Sequence, residues 1–419
     1  MKKTYKDYIT VLFGSGFARG LALLSSIIIA RLLGPEEFGK FSIFYIIMIL
    51  VWLLPQAFDT TFVRYAKAAN SKREKNEFLK TAVFLKLVYF VTVLCISYPL
   101  AYFLANYCFH KPYIQFLLMA SMVCGGFLSF LMSIASTFQE KEKFTEFAVL
   151  NTSYTALILC ALLLLKASNL EFSLRNVVLI YLAITIAIGI ISIMVLFKKI
   201  GKLFPLNAER LKISFSLGKW IFGVTCVYFI FQRLDILFLT RYVDLKLIGI
   251  YSASTRLIIF VALMTGSLAG VSLPKANAAI KSKSLLKTYV KESVISIIII
   301  DIFIILLIIG APFCIKILFG NEYLLAGIIS RLLLIGWFFV VVYTPFSFLF
   351  YALDDSRTRF LLELLKIITA IILLYWLVPK YNLIGGAIAM SLSLVLNTFI
   401  SLTVLRHKLT GTYERFKVC

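Results

Sequence analysis

Long runs of apolar residues, separated by short polar connections, dominate this chain. Most runs contain about 20 residues or more, the length that a helix needs to cross the hydrocarbon core of a bilayer. The pattern predicts twelve membrane-spanning helices, at roughly 9–33, 41–65, 81–105, 113–137, 146–166, 176–197, 214–240, 247–272, 289–311, 324–350, 360–378 and 384–405. We therefore expect an all-α polytopic membrane protein. The first run is longer than the hydrophobic region of a secretory signal and no small-residue cleavage site follows it, so we expect a retained helix.

The composition supports this class. Hydrophobic residues make up 61% of the 419-residue chain and charged residues only 15%, which excludes a soluble globular domain. The net charge of +23 comes from lysines and arginines concentrated in alternate connections, so it reflects the positive-inside rule rather than nucleic-acid binding. Both termini are then expected on the cytoplasmic side. The 7 cysteines have no paired spacing, so the sequence predicts no disulfide framework, metal site or cofactor.

The two halves of the chain share a motif. Residues 31–42 (RLLGPEEFGKFS) align with residues 241–252 (RYVDLKLIGIYS) at an offset of 210 residues. Each segment joins an odd-numbered span to the next, so an even number of spans separates them and the halves should be parallel repeats. We expect an N-terminal six-helix lobe at 1–200, a basic cytoplasmic linker at 201–213 and a C-terminal six-helix lobe at 214–419. Two pseudo-symmetric bundles of this kind predict a central cavity with alternating access.

Ionisable residues inside the apolar runs are the candidate functional residues, because a charge at membrane depth is costly and faces protein or water rather than lipid. Arg19 lies near the middle of the first predicted span. Arg19, Arg256 and Arg233 are the candidates for binding an anionic head group, since a guanidinium stays charged when desolvated and offers a bidentate fork. Neither Arg19 nor Arg256 has a charged counterpart at the 210-residue offset, although a packing role in both halves would favour one.

Carboxylates in the spans are candidates for ion coupling, with structural alternatives left open. Asp59 is either a protonatable coupling group or an ion-pair partner of Arg19 or Arg64. Asp235 is the second candidate for coupling. It lies two residues from Arg233, on a different face of the helix, so these two side chains cannot pair with each other.

Other polar residues have simpler explanations. We expect a structural salt bridge between Asp301 and Arg331, which lie on consecutive predicted spans. Lysines and arginines near the ends of spans should extend to the membrane surface; they are Arg31, Lys86, Arg241 and Lys366. Asp354 is expected in a solvated turn. Some interfacial tyrosines are candidates for stacking on sugars, namely Tyr45, Tyr228 and Tyr251.

Four segments in matching topological positions resemble the oligosaccharide flippases of bacterial O-antigen and capsule assembly. They are RLLGPEEFGKFSIF (31–44), RYVDLKLIGIYSASTRL (241–257), LFGNEY (318–323) and VPKYNLIGGAIAMSLS (378–393). These flippases belong to the multidrug/oligosaccharidyl-lipid/polysaccharide exporter superfamily. The resemblance implies two lobes arranged in a V, a cavity lined chiefly by helices 1, 2, 7 and 8, and an undecaprenyl-pyrophosphate-linked oligosaccharide as substrate. Gly218-Lys219 stands where the family often has a proline, and twelve spans rather than fourteen disfavour the related lipid II flippases.

The connections between spans are too short to form an extramembrane catalytic domain, so we expect a transporter with no catalytic residues rather than an enzyme. The leading hypothesis is a flippase of the bacterial inner membrane. Its partners would be the polyprenyl-pyrophosphate-linked oligosaccharide, membrane lipids and other polysaccharide-assembly proteins, but no nucleic acid. One alternative is a multidrug or small-metabolite exporter of the same superfamily, in which carboxylates or aromatic residues would dominate the cavity. The other is a membrane-embedded glycosyltransferase or ligase acting on polyprenyl carriers.

Overall fold

A computed structural model of the protein describes residues 2–168, 170–280, 282–353 and 355–416, and in this part of the chain all regular secondary structure is helical, without strands. The helices are α1 (Lys2–Leu53), α2 (Gln56–Ala68), α3 (Lys72–Phe103), α4 (Gln115–Glu140), α5 (Phe144–Ala167), α6 (Leu174–Ile200), α7 (Ala208–Tyr242), α8 (Leu245–Ser254), α9 (Ile258–Ala279), α10 (Lys283–Phe319), α11 (Leu324–Ala352) and α12 (Ser356–Phe416). A π-helical turn follows α3, and short 3-10 turns precede α4, α9 and α11.

Ten segments of the described chain are long and apolar enough to cross a membrane, which makes this a multi-pass membrane protein. Two of these segments, Gly16–Ala68 and Arg357–Leu409, contain 53 residues each. A straight helix of that length would extend about 80 Å, far more than the hydrocarbon core of about 30 Å. Each segment contains a residue with non-helical backbone, Gly34 (φ 76°, ψ 173°) in α1 and Asn382 (φ 49°, ψ −127°) in α12. Both breaks lie in connections that the sequence predicted.

The chain divides into two compact units, Met1–Arg233 and Leu234–Cys419, with the division inside α7. In unit 1, α4 is the central helix and packs against α1, α3 and α6. Its small residues allow this close approach. A Cβ atom added at Gly125 would lie 2.5 Å from the carbonyl oxygen of Met48, and one added at Gly126 would lie 2.9 Å from Cδ2 of Phe90.

In unit 2, α11 is the central helix and packs against α9, α10 and α12. Small residues again mark the contacts. A Cβ atom added at Gly327 would lie 2.7 Å from Cα of Pro312, and one added at Gly336 would lie 2.8 Å from Cα of Ser391. Each unit therefore packs several helices around one glycine-containing helix.

The 210-residue echo of the sequence is also present in the structures of the two units. The break at Gly34 precedes a helix beginning at residue 35, and α8 begins at Leu245. The turns before α4 and α11 each contain a residue with positive φ, His110 (54°) and Gly320 (97°). Burial follows the same offset, since Phe41 and Tyr251 are both buried in their own units. The repeat thus governs helix ends and packing, not only residue identity.

At two of the prolines that interrupt helical hydrogen bonding, a side chain from a neighbouring helix replaces the missing donor. Pro55 has no N–H to donate to the carbonyl of Val51, and the hydroxyl of Tyr89 donates to that oxygen at 2.9 Å. In the same way Pro312 leaves the carbonyl of Ile308 without its helical donor. That carbonyl accepts a hydrogen bond from Nε of Arg331 at 2.9 Å.

Candidate functional site

Arg19 lies on the first half of α1 with its side chain exposed on the surface of unit 1. Within the described residues it forms no salt bridge, so neither Asp59 nor another carboxylate neutralises it there. Gly16 and Gly20 flank it, and a Cβ atom added at either glycine would meet nothing within 4 Å. The guanidinium therefore lies on an open stretch of helix rather than in the packed core of its unit.

Asp59 lies in a buried charge cluster that the sequence did not predict, formed by Asp59, Lys86, Ser129 and Ser133 and called here the Asp59–Lys86 cluster. Nζ of Lys86 lies 2.5 Å from Oδ2 of Asp59, and it also donates to the carbonyl of Ser129 at 2.9 Å and to Oγ of Ser133 at 2.7 Å. The hydroxyl of Ser133 donates to Oδ1 of Asp59 at 2.8 Å. All three ammonium donors and both carboxylate oxygens are thus used.

This cluster corrects two expectations. Lys86 is 0% exposed and does not extend to the membrane surface, because Asp59 compensates its charge inside unit 1. Asp59 pairs with Lys86 and not with Arg19 or Arg64. The serine positions of α4 explain why the lysine fits, since their short side chains leave room for its ammonium group beside the backbone carbonyl of Ser129.

The Asp59–Lys86 cluster lies deep in its unit. Along α3, Lys86 follows Lys75 by eleven residues, or about 16 Å of helix rise. Lys75 forms an ion pair with Glu140 at 2.7 Å, near the polar ends of α3 and α4. A pair at this depth is surrounded by apolar side chains such as Phe58 and Phe90, so separating it would leave a charge without a partner in a medium of low dielectric constant.

Asp235 lies on α7 and is buried in unit 2. The hydroxyl of Tyr251 donates to its Oδ2 at 2.9 Å, and the N–H of Ile236 donates to its Oδ1 at 2.8 Å. Tyr251 is 0% exposed, so the expectation that it stacks on sugars is wrong. Its ring belongs to the core of unit 2 and its hydroxyl orients the carboxylate of Asp235.

The remaining arginine candidates are half-buried. Arg233 is the last residue of unit 1, on α7. Arg256 belongs to unit 2 and lies in the 3-10 turn Thr255–Leu257, which separates α8 from α9. Helix α7 continues through Gly218 without a break, in agreement with the absence of a proline there. Gly218 is buried, and a Cβ atom added to it would lie 3.1 Å from the ring of Phe58.

The expected salt bridge between Asp301 and Arg331 is absent from the described part of unit 2. Arg331 instead donates to the carbonyls of Ile308 and Ile309, at 2.9 and 3.1 Å. The physical reason is Pro312, which leaves the carbonyl of Ile308 without a donor. Asp301 is 6% exposed, and its Oδ1 has no hydrogen-bond partner among the described residues.

The other predictions have mixed outcomes. Arg31 and Arg241 are exposed, whereas Lys366 forms an ion pair with Glu363. Tyr45 is half-buried and packs on the rings of Phe41 and Tyr181, while Tyr228 is exposed. Asp354 lies outside the described residues. Across the described residues, no group of three or more histidine, cysteine, aspartate or glutamate side chains could hold a metal ion.

A second ionic cluster, also missed by the sequence reasoning, fixes the start of α7 to α3 within unit 1. Arg210 donates from Nε to Glu77 at 2.6 Å and from a terminal nitrogen to Glu74 at 2.9 Å, and its guanidinium lies 4.7 Å from the ring of Phe78. Glu74 also accepts the N–H of Asn70 at 3.0 Å. The hydrogen bond from Arg210, followed by that from Asn70, lowers the pKa of the Glu74 carboxyl below its ordinary value.

Comparison with known proteins identifies the class of this chain. The family model described as "Polysaccharide biosynthesis protein" matches residues 5–275. A Shigella flexneri protein described as "Putative O-antigen transporter" is 25% identical over 209 residues, which cover 49% of this chain and 49% of that protein. The chain is therefore matched over about half the length of that relative.

Solved structures of transporters share the fold. The lipid II flippase MurJ in an inward closed conformation has a TM-score of 0.75 and 18% identity, covering 94% of this chain and 87% of that one. A multidrug resistance MATE family transporter of the MOP superfamily, inward-facing, also has a TM-score of 0.75, with 14% identity over 94% of this chain and 95% of that one. A MOP superfamily transporter from Pyrococcus furiosus has a TM-score of 0.63, with 14% identity and coverage of 97% and 95%. By its sequence match over more than half its length, and with a fold shared by MOP superfamily transporters, the chain belongs to the polysaccharide biosynthesis protein family.

Proposed function

We propose that this protein is a flippase that moves an undecaprenyl-pyrophosphate-linked oligosaccharide from the inner to the outer leaflet of the bacterial cytoplasmic membrane. The chain would cross the membrane twelve times, with both termini in the cytoplasm and one six-helix lobe in each half. Division of the two 53-residue segments at Gly34 and Asn382 supports this number of spans. Transport would proceed by alternating access, with the polyprenyl tail remaining in lipid.

The exposed guanidinium of Arg19 carries this proposal. An arginine on the first half of an apolar helix, open to the surface of its unit, is too costly to face lipid. Its surroundings must therefore contain water or an anionic ligand. A pyrophosphate fits because a guanidinium can donate two parallel hydrogen bonds to it. Arg256 and Arg233 are proposed to complete the anionic head-group site.

The fold does not separate a flippase for lipid-linked sugars from a multidrug exporter, since MATE transporters share it. The sign of the charge favours the flippase. Arg19 would repel a cationic drug, whereas the two carboxylates proposed for coupling are buried and hydrogen-bonded inside their units. Asp235, whose Oδ2 accepts a hydrogen bond from the hydroxyl of Tyr251, is the better candidate. Asp59 could take part only by breaking its contacts with Lys86 and Ser133.

The test is complementation of surface polysaccharide in cells that lack the chromosomal gene, with membrane abundance measured for each variant. Arg19→Ala and Arg256→Ala should abolish complementation at normal abundance, because the head group loses its partner. Arg→Lys at either position should restore it only in part, since an ammonium keeps the charge but not the bidentate geometry. Arg175→Ala, at an exposed arginine in the first turn of α6, is the matched control and should behave as wild type.

Two outcomes would contradict this proposal. Full complementation by both alanine variants would exclude the arginines from the site. Turnover of a lipid-linked sugar by the purified protein, with a new glycosidic bond formed, would support an enzyme instead.

Topology has a separate test in a variant that retains only Cys108, which an impermeant thiol reagent should label in intact cells. A second variant that retains only Cys419, which lies outside the described residues, is the counterpart, and labelling of this variant instead of the first would contradict the expected orientation.

A further inference from the structure

Asp301 is a buried carboxyl group at the middle of a long apolar helix. It lies 18 residues from each end of α10, about 27 Å of helix rise from either end. It belongs to the face of α10 that includes Ile297, Ile300 and Ile304, all buried in unit 2, while Ile302 and Ile305 on the other face are exposed. The carboxyl group therefore points into the packed interior of unit 2.

No charged group compensates this carboxyl in the described part of the chain. The elements packed against α10 are α8, α9, α11 and the 3-10 turn Asn321–Tyr323. Two of the charged residues nearby have other partners, since Lys275 pairs with Glu292 on α10 and Arg331 donates to two backbone carbonyls. Lys246 and Glu322 are exposed, and Arg256 lies in the turn between α8 and α9. None of them donates a hydrogen bond to Oδ1 of Asp301, an oxygen that is inaccessible and has no partner among the described residues.

An ionised carboxylate in this position would carry a large desolvation cost with no opposite charge nearby to offset it. A protonated carboxyl is neutral and avoids most of that cost. We infer that Asp301 is a proton-binding site of unit 2, occupied in this conformation and emptied when unit 2 admits water or a cationic group to the carboxyl during the transport cycle. The role in the cycle rests on the proposed function, whereas proton binding itself does not.

The fold gives no structural reason for a carboxyl here. The residue 210 positions earlier in the chain is Val91, an exposed apolar residue of α3. A leucine at position 301 would fill the same interior without a polar atom. The Asp59–Lys86 cluster shows how this protein holds a buried carboxyl group with a counter-charge, with both of its oxygens bound. Asp301 has no such set of partners, and a bound proton neutralises the carboxyl group without requiring any.

Proton binding can be measured without any transport assay. Dicyclohexylcarbodiimide reacts with protonated carboxyl groups in apolar surroundings, and the modified peptide can be quantified by mass spectrometry of purified protein in nanodiscs. We expect modification of Asp301 to be strong at about pH 6 and to fall at least tenfold by about pH 9, as the group ionises. Glu322, exposed in the turn before α11, should show no comparable reaction over this range.

Three results would overturn the inference: no modification of Asp301 at any pH although the unfolded protein reacts, modification that does not change with pH, or protection by sodium chloride at constant ionic strength, which would indicate a sodium site instead.

The role in transport has its own test, with complementation and membrane abundance measured over a range of external pH. D301N mimics the protonated carboxyl permanently and should lose transport by at least tenfold at normal abundance, while D301E should retain part of it. S296A is the matched control, because Ser296 is a half-buried residue of the same helix whose hydroxyl donates to the carbonyl of Glu292. Wild-type transport by D301N at every pH would remove Asp301 from coupling. If the wild-type protein itself moves no lipid-linked oligosaccharide, the proposed function fails while the labelling result stands.

Discussion

The two units each bury a carboxylate to the same extent, and they treat it in opposite ways. Asp59 in unit 1 and Asp301 in unit 2 are both 6% exposed. Asp59 has an ammonium group and a hydroxyl bound to its two oxygens, whereas Oδ1 of Asp301 has no partner in the described chain. Equal burial therefore does not imply an equal role. A buried charge whose atoms all have partners holds its helices in one arrangement. A buried carboxyl group without such partners is stable only in a state that neutralises its charge.

The largest effect that the comparison predicts is in unit 1. Lys86→Ala should lower the free energy of unfolding by about 3–5 kcal/mol, because it leaves Asp59 buried without a counter-charge. Thermal unfolding of the purified protein in detergent measures this loss. The double variant Asp59→Asn/Lys86→Met should recover most of it, since no uncompensated charge remains. A single variant as stable as the wild type would show that the pair is not closed in the membrane.

In unit 2, replacing the buried carboxyl group should change the free energy of unfolding in the opposite direction. Asp301→Leu removes a polar group from the apolar interior of α10 and should raise the free energy of unfolding, by up to about 3 kcal/mol. The measurement is again thermal unfolding, with Ile300→Ala as a variant of the same helix face that should destabilise by leaving a cavity. A clear loss of stability in Asp301→Leu would mean that the carboxyl has a structural partner, and the contrast between the units would disappear.

A smaller effect concerns backbone carbonyls rather than carboxylates. Tyr89→Phe should cost about 1 kcal/mol, because the carbonyl of Val51 loses the donor that replaces the missing N–H of Pro55. In a Pro55→Ala background the same substitution should cost less, since the alanine N–H can bond to that carbonyl. A double-mutant cycle on thermal stability tests this coupling. Strict additivity of the two changes would contradict it.

The smallest effect belongs to an exposed carboxylate. Hydrogen bonds from Arg210 and Asn70 lower the pKa of Glu74 in the folded protein. The unfolded chain therefore binds a proton at higher pH than the folded one, and this contribution to stability is present at neutral pH and is lost as the pH falls below the ordinary value of 4.5. The unfolding temperatures of the wild type and of Glu74→Gln should differ at neutral pH and should converge as the pH falls into the acidic range. Glu171→Gln, at an exposed glutamate outside this cluster, should show no such convergence, and added salt should not change that result.

Hydropathy was sufficient to predict an all-α multi-pass protein, because the bilayer requires long apolar segments with internally satisfied backbones. It also located the connections where Gly34 and Asn382 interrupt helices that otherwise continue. The repeat was visible in residue pairs such as Gly39 and Gly249, both of which are buried. Boundaries were less accurate, since α7 begins at Ala208, six residues before the predicted span.

Side-chain partners could not be predicted in the same way, because pairing depends on the rotation of each helix about its axis. Asp59 and Lys86 were both recognised as charges in spans, but nothing in the sequence indicated that they face each other. Arg331 was assigned to Asp301 on charge alone. Its actual acceptors are carbonyls near Pro312, and the rule that proline frees the carbonyl four residues earlier could have indicated the one at Ile308.

Helix α7 has a consequence for dividing the gene into two. The basic linker looks like the natural place to cut, but most of α7 follows it and still belongs to unit 1. Fragments made at residue 205 would therefore not be independent modules. The second fragment would carry a helix whose Arg210 binds Glu74 and Glu77 and whose Phe222 ring lies 6.0 Å from that of Tyr89. Co-expressed halves should reassemble, because α7 of the second fragment packs against the first. A cut made after Tyr242 should give a more stable first half than a cut at residue 205.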